Sequence, residues 1–223
     1  MTRVIVFGAT GLLGQGVLEA CLQAPDVTEV LVVARSTTGR EHPKLREIEH
    51  RDFTDYSAVA DRLVGYDGCF FCLGTTSAGK QEAQYRIANR DIPIAAARAV
   101  LAANPEAAFC YVSGAGTDAG SRLMWARVKG ETENALLALG TGTYMFRPAI
   151  ILPLPGARLR SRLNTALYAV IVPAAPLLRR MIPDRITSAV EVGRAMIRTA
   201  EIRPPDRVLE NARIVALSAS SAP

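Results

Sequence analysis

The chain has 223 residues, of which 49% are hydrophobic and 21% are charged. A chain of this length buries a full hydrophobic core without disulfides or metal, and this composition excludes long disordered regions. Its 26 Lys and Arg residues exceed its 21 Asp and Glu residues, which gives a net charge of +5. That excess suits a phosphate-bearing ligand but is too small and too dispersed to predict nucleic-acid binding.

Apolar strand-like runs alternate with helix-period segments from the first residues. Continuous apolar strands separated by helices are typical of a parallel sheet covered on both faces. We therefore predict an α/β fold with a doubly wound parallel sheet, the Rossmann fold. The predicted strands are 3–7, 30–34, 46–50, 68–73, 107–112 and 143–147, and the predicted helices are 12–22, 55–64, 82–103 (with a kink at Pro93) and 121–139.

The sequence changes character after Pro148 and becomes rich in proline. We expect a single NAD(P)-binding domain over residues 1–223, in which 150–223 form a small extension on the substrate side. Ser188 and Glu191 have the spacing of a helix capping box, so a further helix is predicted there.

Three arginines precede a short apolar run within the segment 158–178. The run is too short to span a bilayer. It admits three interpretations: a substrate-side lid, a partner or dimer surface in a protein that is a monomer or a dimer, and a weak contact with an anionic membrane surface.

The cysteines and histidines predict no metal site. Cys69 and Cys72 have CxxC spacing, but they lie in an apolar strand-like run, where residues three apart point to opposite faces. Buried structural thiols are therefore expected, with redox or metal chemistry as the alternative. Neither His42 nor His50 has a cluster of ligands at metal spacing. Because the chain opens directly into a strand rather than a signal pattern, we expect a cytoplasmic protein.

A glycine-rich segment, GATGLLG, follows the first predicted strand and opens the first predicted helix. Gly8 permits a tight turn, Gly11 lets a pyrophosphate approach the backbone, and Gly14 lets the helix pack closely on the strand. The helix N-terminus adds free N–H donors. The alternative is a glycine-rich turn without a ligand. The predicted dinucleotide-binding residues here are Gly8, Thr10, Gly11, Leu12, Leu13 and Gly14.

Arg35 follows the second predicted strand, at the position where sites selective for NAD usually have Asp or Glu for the ribose hydroxyls. An arginine pairs instead with the 2′-phosphate of NADP and stacks on adenine. We therefore predict NADP, with NAD as the less favoured cofactor and a solvated loop charge as the alternative. Arg40 and Lys44 are candidate helpers. Asp52 and Phe53, after the third predicted strand, either face the adenine edge or form a helix-capping loop.

These motifs together resemble the atypical short-chain dehydrogenases/reductases, and within them the small NAD(P)-binding proteins related to the human Tat-interacting protein of about 30 kDa. The resemblance covers nearly the whole chain and rests most on GATGLLG, on the segment 72–76 (CLGTT) and on 128–131 (VKGE). It implies that the cofactor also contacts Leu73, Gly74, Thr75 and Pro148.

The resemblance also implies a catalytic serine at the end of the fifth strand and a Tyr-x-x-x-Lys pair on the following helix. Ser113 matches the serine and Lys129 matches the lysine, which would also hold the nicotinamide ribose. Trp125 stands where the family has tyrosine. An indole N–H is a donor only and cannot exchange a proton with an alkoxide at neutral pH. Tyr144, Tyr168 and Ser121 are conceivable substitutes, and spacing selects none of them.

Two hypotheses follow for the function. The first is an NADP-dependent oxidoreductase that reduces a small or medium apolar carbonyl. The second is a non-catalytic dinucleotide sensor or partner-binding protein that has lost the reductase tyrosine. Both require a dinucleotide, and the first also requires an unknown small-molecule ligand.

Overall fold

The computed structural model describes residues 1–156, 172–173, 175–176 and 180–220. The segment 158–178, for which three interpretations were open, lies largely outside these residues, and so does Tyr168. The predictions that concern them stay predictions.

Within the described residues, seven parallel strands, numbered along the chain, form the main sheet in the spatial order β3-β2-β1-β4-β5-β6-β9. The order reverses between β1 and β4, which is the arrangement of a doubly wound sheet. The predicted Rossmann fold is confirmed. The strands are β1 (Thr2–Phe7), β2 (Val27–Ala34), β3 (Leu45–Glu49), β4 (Gly68–Phe71), β5 (Ala108–Val112), β6 (Thr143–Arg147) and β9 (Val208–Glu210), and β7 (Ile150–Leu152) pairs with β8 (Ile186–Ser188) in a separate parallel pair.

Helices cover both faces of the main sheet. Alternate residues of β1 point to opposite faces, so Val4 and Val6 join one buried cluster whereas Ile5 and Phe7 join the other. The helices α1, α5 and α6 pack on the first face, and α3, α4 and a 3₁₀ helix at Ser57–Leu63 pack on the second. The helices are α1 (Leu12–Gln23), α2 (Glu82–Arg86), α3 (Ile92–Ala103), α4 (Met124–Leu137), α5 (Ala189–Ile202) and α6 (Asn211–Ala219).

The long helix predicted over 82–103 is interrupted by a π-helical turn at Ile87–Asp91. Pro93 lies in the first turn of α3 and has no N–H to donate to the carbonyl of Asn89, four residues earlier. The hydroxyls of Tyr111 (3.1 Å) and Thr132 (2.9 Å) donate to that carbonyl instead. The irregularity expected at Pro93 is therefore present, but it lies before the proline.

The C-terminal part of the chain contributes to the main sheet and its helical layer. The capping box predicted at Ser188 and Glu191 is present at the start of α5, which packs against α1. The strand β9 pairs with β6. Because β9 has only three residues, its apolar pattern is too short to be recognised in the sequence.

Candidate functional site

The glycine segment forms a tight turn between β1 and α1. Gly8 has φ of +77°, and a Cβ at this position would lie 2.7 Å from the backbone nitrogen of Leu73. A Cβ on Gly14 would lie 2.0 Å from the carbonyl oxygen of Gly8. Both positions therefore require glycine for the fold itself.

Gly11 differs from these two glycines. Its φ is −80°, which any residue adopts, and an added Cβ would meet only the carbonyl oxygen of Gly8, at 3.2 Å. Gly11 is the N-cap of α1, no side chain within the described residues caps it, and the first turn of α1 contains no acidic residue. The N–H of Gly11 itself donates to the carbonyl of Gly8 at 2.9 Å, so the backbone N–H groups of the first turn of α1 are those available to an anion such as a pyrophosphate.

A cleft of about 520 Å³ opens beside this turn, at the carboxyl ends of β1 to β4. We call it the cofactor cleft. Of the predicted cofactor residues, those that line it are Gly8, Thr10, Gly11, Arg35, Phe53, Leu73 and Gly74. Leu12, Leu13, Gly14, Asp52, Thr75, Lys129 and Pro148 do not. The lining residues are Gly8, Thr10, Gly11, Val33, Ala34, Arg35, Ser36, Arg51, Phe53, Cys72, Leu73 and Gly74.

Two exposed arginines, Arg35 and Arg51, give the cofactor cleft a positive charge. No carboxylate lines the cleft in the described part of the chain, and neither guanidinium has a hydrogen-bond or ion-pair partner there. Sequence reasoning missed Arg51, although a basic residue directly after the third strand must lie at the same sheet edge as Arg35. The two predicted helpers point elsewhere: Arg40 pairs with Glu19 at 2.5 Å, and the Lys44 ammonium donates to the carbonyl of Ala24 at 2.6 Å.

Asp52 shapes its own loop. Its carboxylate accepts hydrogen bonds from the hydroxyl (2.6 Å) and the N–H (2.9 Å) of Thr54, and these bonds hold its pKa below the usual value. Phe53 is buried, with its ring edge toward Phe7 of β1 at a centroid distance of 6.3 Å. Phe53 therefore contributes an apolar wall to the cleft, and Asp52 holds the turn beside it.

Asn89 supports the cleft from behind and was not predicted. Its side-chain oxygen accepts a hydrogen bond from the N–H of Thr75 at 3.2 Å, and its amide donates to the carbonyl of Tyr85 at 3.1 Å. Asn89 thereby holds the loop after β4, next to Gly74. The proline four residues later was the only signal in the sequence.

Ser113 and Lys129 come together at the carboxyl end of β5. The Lys129 ammonium donates to the backbone carbonyl of Ser113. Burial lowers the pKa of Lys129 to about 8, and the Glu133 carboxylate acts in the opposite direction. Lys129 is thus held beside Ser113 at the end of β5, and its role toward a cofactor or a substrate stays a prediction.

The Ser113 hydroxyl is buried and faces a carboxylate rather than a cleft. Its oxygen lies 2.5 Å from Glu133 Oε1 and 3.1 Å from the carbonyl of Phe146. The single hydroxyl proton goes to the carboxylate, which is the stronger acceptor. The catalytic role that the resemblance implies for Ser113 stays a prediction. In this structure the hydroxyl proton that such a role would use is donated to Glu133 instead.

Glu133 is the centre of this arrangement and was not predicted. Its side chain is 3% exposed and pairs with Arg147 through two hydrogen bonds, of 3.0 and 2.5 Å. Arg147 also reaches Glu210 on β9 at 3.0 Å, and these carboxylates raise its pKa. We call Ser113, Glu133, Arg147 and Glu210 the Glu133 network; it joins the ends of β5, β6 and β9.

Trp125 lies one helical turn before Lys129 on α4 and is half-buried. Its indole packs beside the loop after β5, where a Cβ on Gly116 would lie 3.5 Å from the ring. The buried Pro148 closes the same loop, since its carbonyl accepts the N–H of Ala115 at 2.9 Å.

Two of the conceivable substitutes for tyrosine, Tyr144 and Ser121, have other surroundings in the structure. Tyr144 lines a groove with Gly142 at the start of β6, the opposite end of the sheet from the cofactor cleft. Ser121 accepts the N–H of Leu123 and so helps to begin α4.

The cysteines are free thiols, and burial raises the pKa of Cys72 to about 12. Among the described residues no group of three or more His, Cys, Asp or Glu side chains could hold a metal ion. Within the same residues, no helix is both long enough and apolar enough to span a membrane.

This fold and glycine turn agree with comparison to known proteins. The sequence profile of the NAD dependent epimerase/dehydratase family matches residues 4–119, and the chain belongs to this family. The fold resembles that of MoeE5 in complex with UDP-glucuronic acid and NAD (TM-score 0.67, 19% identity, 93% of this chain and 75% of that one). It also resembles an oxidoreductase of the short-chain dehydrogenase/reductase family from Burkholderia thailandensis (TM-score 0.66, 19% identity, 91% and 87%). The resemblance to short-chain dehydrogenases/reductases is confirmed.

Two fungal relatives cover much of the chain. The mitochondrial protein fmp52-2 of Aspergillus terreus is 29% identical over 91% of this chain and 88% of its own length. The mitochondrial protein FMP52 of Saccharomyces cerevisiae is 33% identical over 72% and 68%. These names contradict the cytoplasmic location expected from the sequence. That expectation was wrong because a sequence that opens into a strand does not specify a compartment. The finer likeness to the Tat-interacting-protein group stays a prediction.

Proposed function

We propose that this protein binds NADP(H) in the cofactor cleft, in preference to NAD(H). The observation that carries the proposal is the charge of the cleft: Arg35 and Arg51 line it together and no described carboxylate does. A 2′-phosphate supplies the anion that two unpaired guanidinium groups favour, whereas the ribose hydroxyls of NAD leave both charges uncompensated.

The chain's own residues fit a dinucleotide along the whole cleft. Gly11 lines the cleft at the start of α1 and has no side chain, so a pyrophosphate would lie there, next to the N–H groups of the first helical turn. Phe53 and Leu73 form apolar walls for adenine and ribose. When bound, the nicotinamide supplies or accepts a hydride.

Proton transfer is the step that these residues do not support. A carbonyl that receives a hydride also needs a proton, which the family takes from tyrosine. Trp125 is a donor only, and the Ser113 hydroxyl is committed to Glu133. We therefore favour a dinucleotide-binding protein with little carbonyl reductase activity. The second candidate, an NADP-dependent carbonyl reductase, is favoured by one observation: the Lys129 ammonium is retained at the end of β5.

Calorimetric titration of the protein with NADPH and NADH tests the cofactor proposal. We expect NADPH to bind about tenfold more tightly or better, since a charge-assisted hydrogen bond contributes roughly 1.5–3 kcal/mol. Arg35→Asp should reduce or invert that ratio. Arg40→Asp is the matched control, because Arg40 lies on the same loop but pairs with Glu19. Equal affinities in the wild type, unchanged by Arg35→Asp, would refute the proposal.

A further inference from the structure

The loop between β3 and the 3₁₀ helix, residues 50–56, carries two residues of the cofactor cleft, Arg51 and Phe53. β3 is the edge strand of the sheet in the described part of the chain, where no further strand supports this loop from the outside. The position of Arg51 therefore depends on contacts made within the loop and with β1.

His50 provides the central contact of this loop. Its side chain is buried, with 8% of the residue exposed. The ring nitrogen Nε2 lies 2.5 Å from the carbonyl oxygen of Asp52 and 2.8 Å from that of Asp55. Carbonyl oxygens only accept, so Nε2 carries the proton and donates to both. One ring N–H thus joins the two ends of the turn that follows Arg51.

The His50 ring also anchors the loop to the sheet. It stacks on Tyr56 (5.2 Å, 27°) and meets the edge of Phe53 (5.6 Å, 65°). Both of these rings pack against Phe7, the residue before Gly8. The contacts form a continuous path from the imidazole to the start of the glycine turn.

We propose that His50 is a positioning residue for dinucleotide specificity: it holds the loop so that Arg51 lies against the cofactor cleft beside Arg35, where the 2′-phosphate of NADP binds. This inference rests on the proposed function. It adds that specificity depends on a buried histidine which itself touches no cofactor. The competing interpretation is a histidine that stabilises the fold only.

Two substitutions distinguish the effect of the His50 hydrogen bonds from the effect of its ring packing. His50→Phe keeps a flat ring against Tyr56 and Phe53 but has no donor, whereas His50→Gln retains an N–H near the position of Nε2. The dissociation constants of NADPH and NADH are measured by calorimetry for both variants, for Arg51→Ala and for Arg51→Ala combined with His50→Phe. Thermal unfolding is recorded for each protein.

We expect His50→Phe to weaken NADPH binding about tenfold while NADH binding changes by less than about twofold, because only NADPH uses Arg51. His50→Gln should recover most of the loss. In the double variant His50→Phe should add nothing to Arg51→Ala, since both act through the same guanidinium. A purely structural histidine would instead weaken NADPH and NADH equally, or would lower thermal stability without changing their ratio.

The outcomes distinguish this inference from the proposed function. A wild type that binds NADPH and NADH equally refutes both. A wild type that prefers NADPH, with a ratio that His50→Phe leaves unchanged, refutes only the role of His50. Additive losses in the double variant also refute it, because they would show that His50 acts without Arg51.

Discussion

The cofactor cleft and the Glu133 network lie at the same edge of the sheet, yet their charged groups differ in how they are paired. In the cleft, Arg35 and Arg51 have no partner within the described residues. In the network, the Glu133 carboxylate accepts from Ser113 and Arg147, and Arg147 also reaches Glu210. Unpaired charged side chains in a cleft indicate a binding site for a ligand of opposite charge. A buried network whose charged groups are all hydrogen-bonded stabilises the packing of the strands instead.

This difference changes how the catalytic serine position is understood. Ser113 was predicted to be a catalytic serine from the family resemblance, but both its hydroxyl and its carbonyl make hydrogen bonds with side chains of α4. The proposed function accordingly assigns ligand binding to the cofactor cleft and a structural role to the Glu133 network. The following predictions test that assignment, beginning with the largest expected effect.

Glu133→Ala should cost about 3 kcal/mol of unfolding free energy, since it leaves Arg147 without its buried partner. The matched control is Glu131→Ala on the same helix, whose carboxylate pairs with Arg86 near the surface and should cost less than about 1 kcal/mol. Urea denaturation measures both. Equal losses would mean that the Glu133 network is no more structural than a surface ion pair.

Gly11→Val should weaken NADPH binding about 100-fold, equivalent to about 2.7 kcal/mol, while the protein still folds. The valine Cβ would lie 3.2 Å from the Gly8 carbonyl oxygen, a close contact that a small shift relieves, but the side chain would occupy the space of the pyrophosphate. Gly14→Ala is the opposite control: its Cβ would press on the Gly8 carbonyl, so it should lower the melting temperature. A folded Gly11→Val protein with unchanged affinity would place the dinucleotide elsewhere.

Trp125→Tyr should raise NADPH oxidation by about 100-fold over a low wild-type rate, the lower end of what a positioned general acid contributes. The assay uses a panel of aldehydes, ketones and quinones, with NADPH affinity measured in parallel. Trp125→Phe, which makes a similar void without a hydroxyl, should show no gain. Strong wild-type turnover that falls on the change to tyrosine would show that another group transfers the proton.

Lys129 should make stability depend on pH in the alkaline range. Burial lowers its pKa from 10.5 to about 8, so between these values the unfolded chain binds more protons than the folded one. Wild-type stability relative to Lys129→Met should therefore rise between pH 8 and 10, because the penalty for a buried ammonium disappears. The measurement is urea unfolding of both proteins at several pH values. A constant difference would mean that the ammonium is well solvated.

Structural features that depend on residues close together in the sequence were predicted correctly. β6 was predicted at its observed bounds, and the capping box at Ser188 is present, because short-range spacing determines both. The glycine turn was found for the same reason.

Features that depend on distant parts of the chain were missed. Arg51 becomes important only when β3 is placed beside β2, and Glu133 only when α4 covers the ends of β5 and β6. The strand β9 is recognisable only through its partner β6. The hydrophobic periodicity of a sequence does not show which strands and helices lie next to each other. These neighbours are known only from the tertiary structure.

The position of β9 has a consequence for the order of folding. β6 ends at Arg147, but the strand that covers its free edge begins at Val208, and about sixty residues of chain must be synthesised in between. During that interval β6 exposes a row of unpaired backbone N–H and C=O groups, which is a template for pairing with another chain. A nascent polypeptide of this protein therefore exposes this edge of β6 until β9 has been synthesised, and chaperone binding during the synthesis of that stretch would protect it from aggregation.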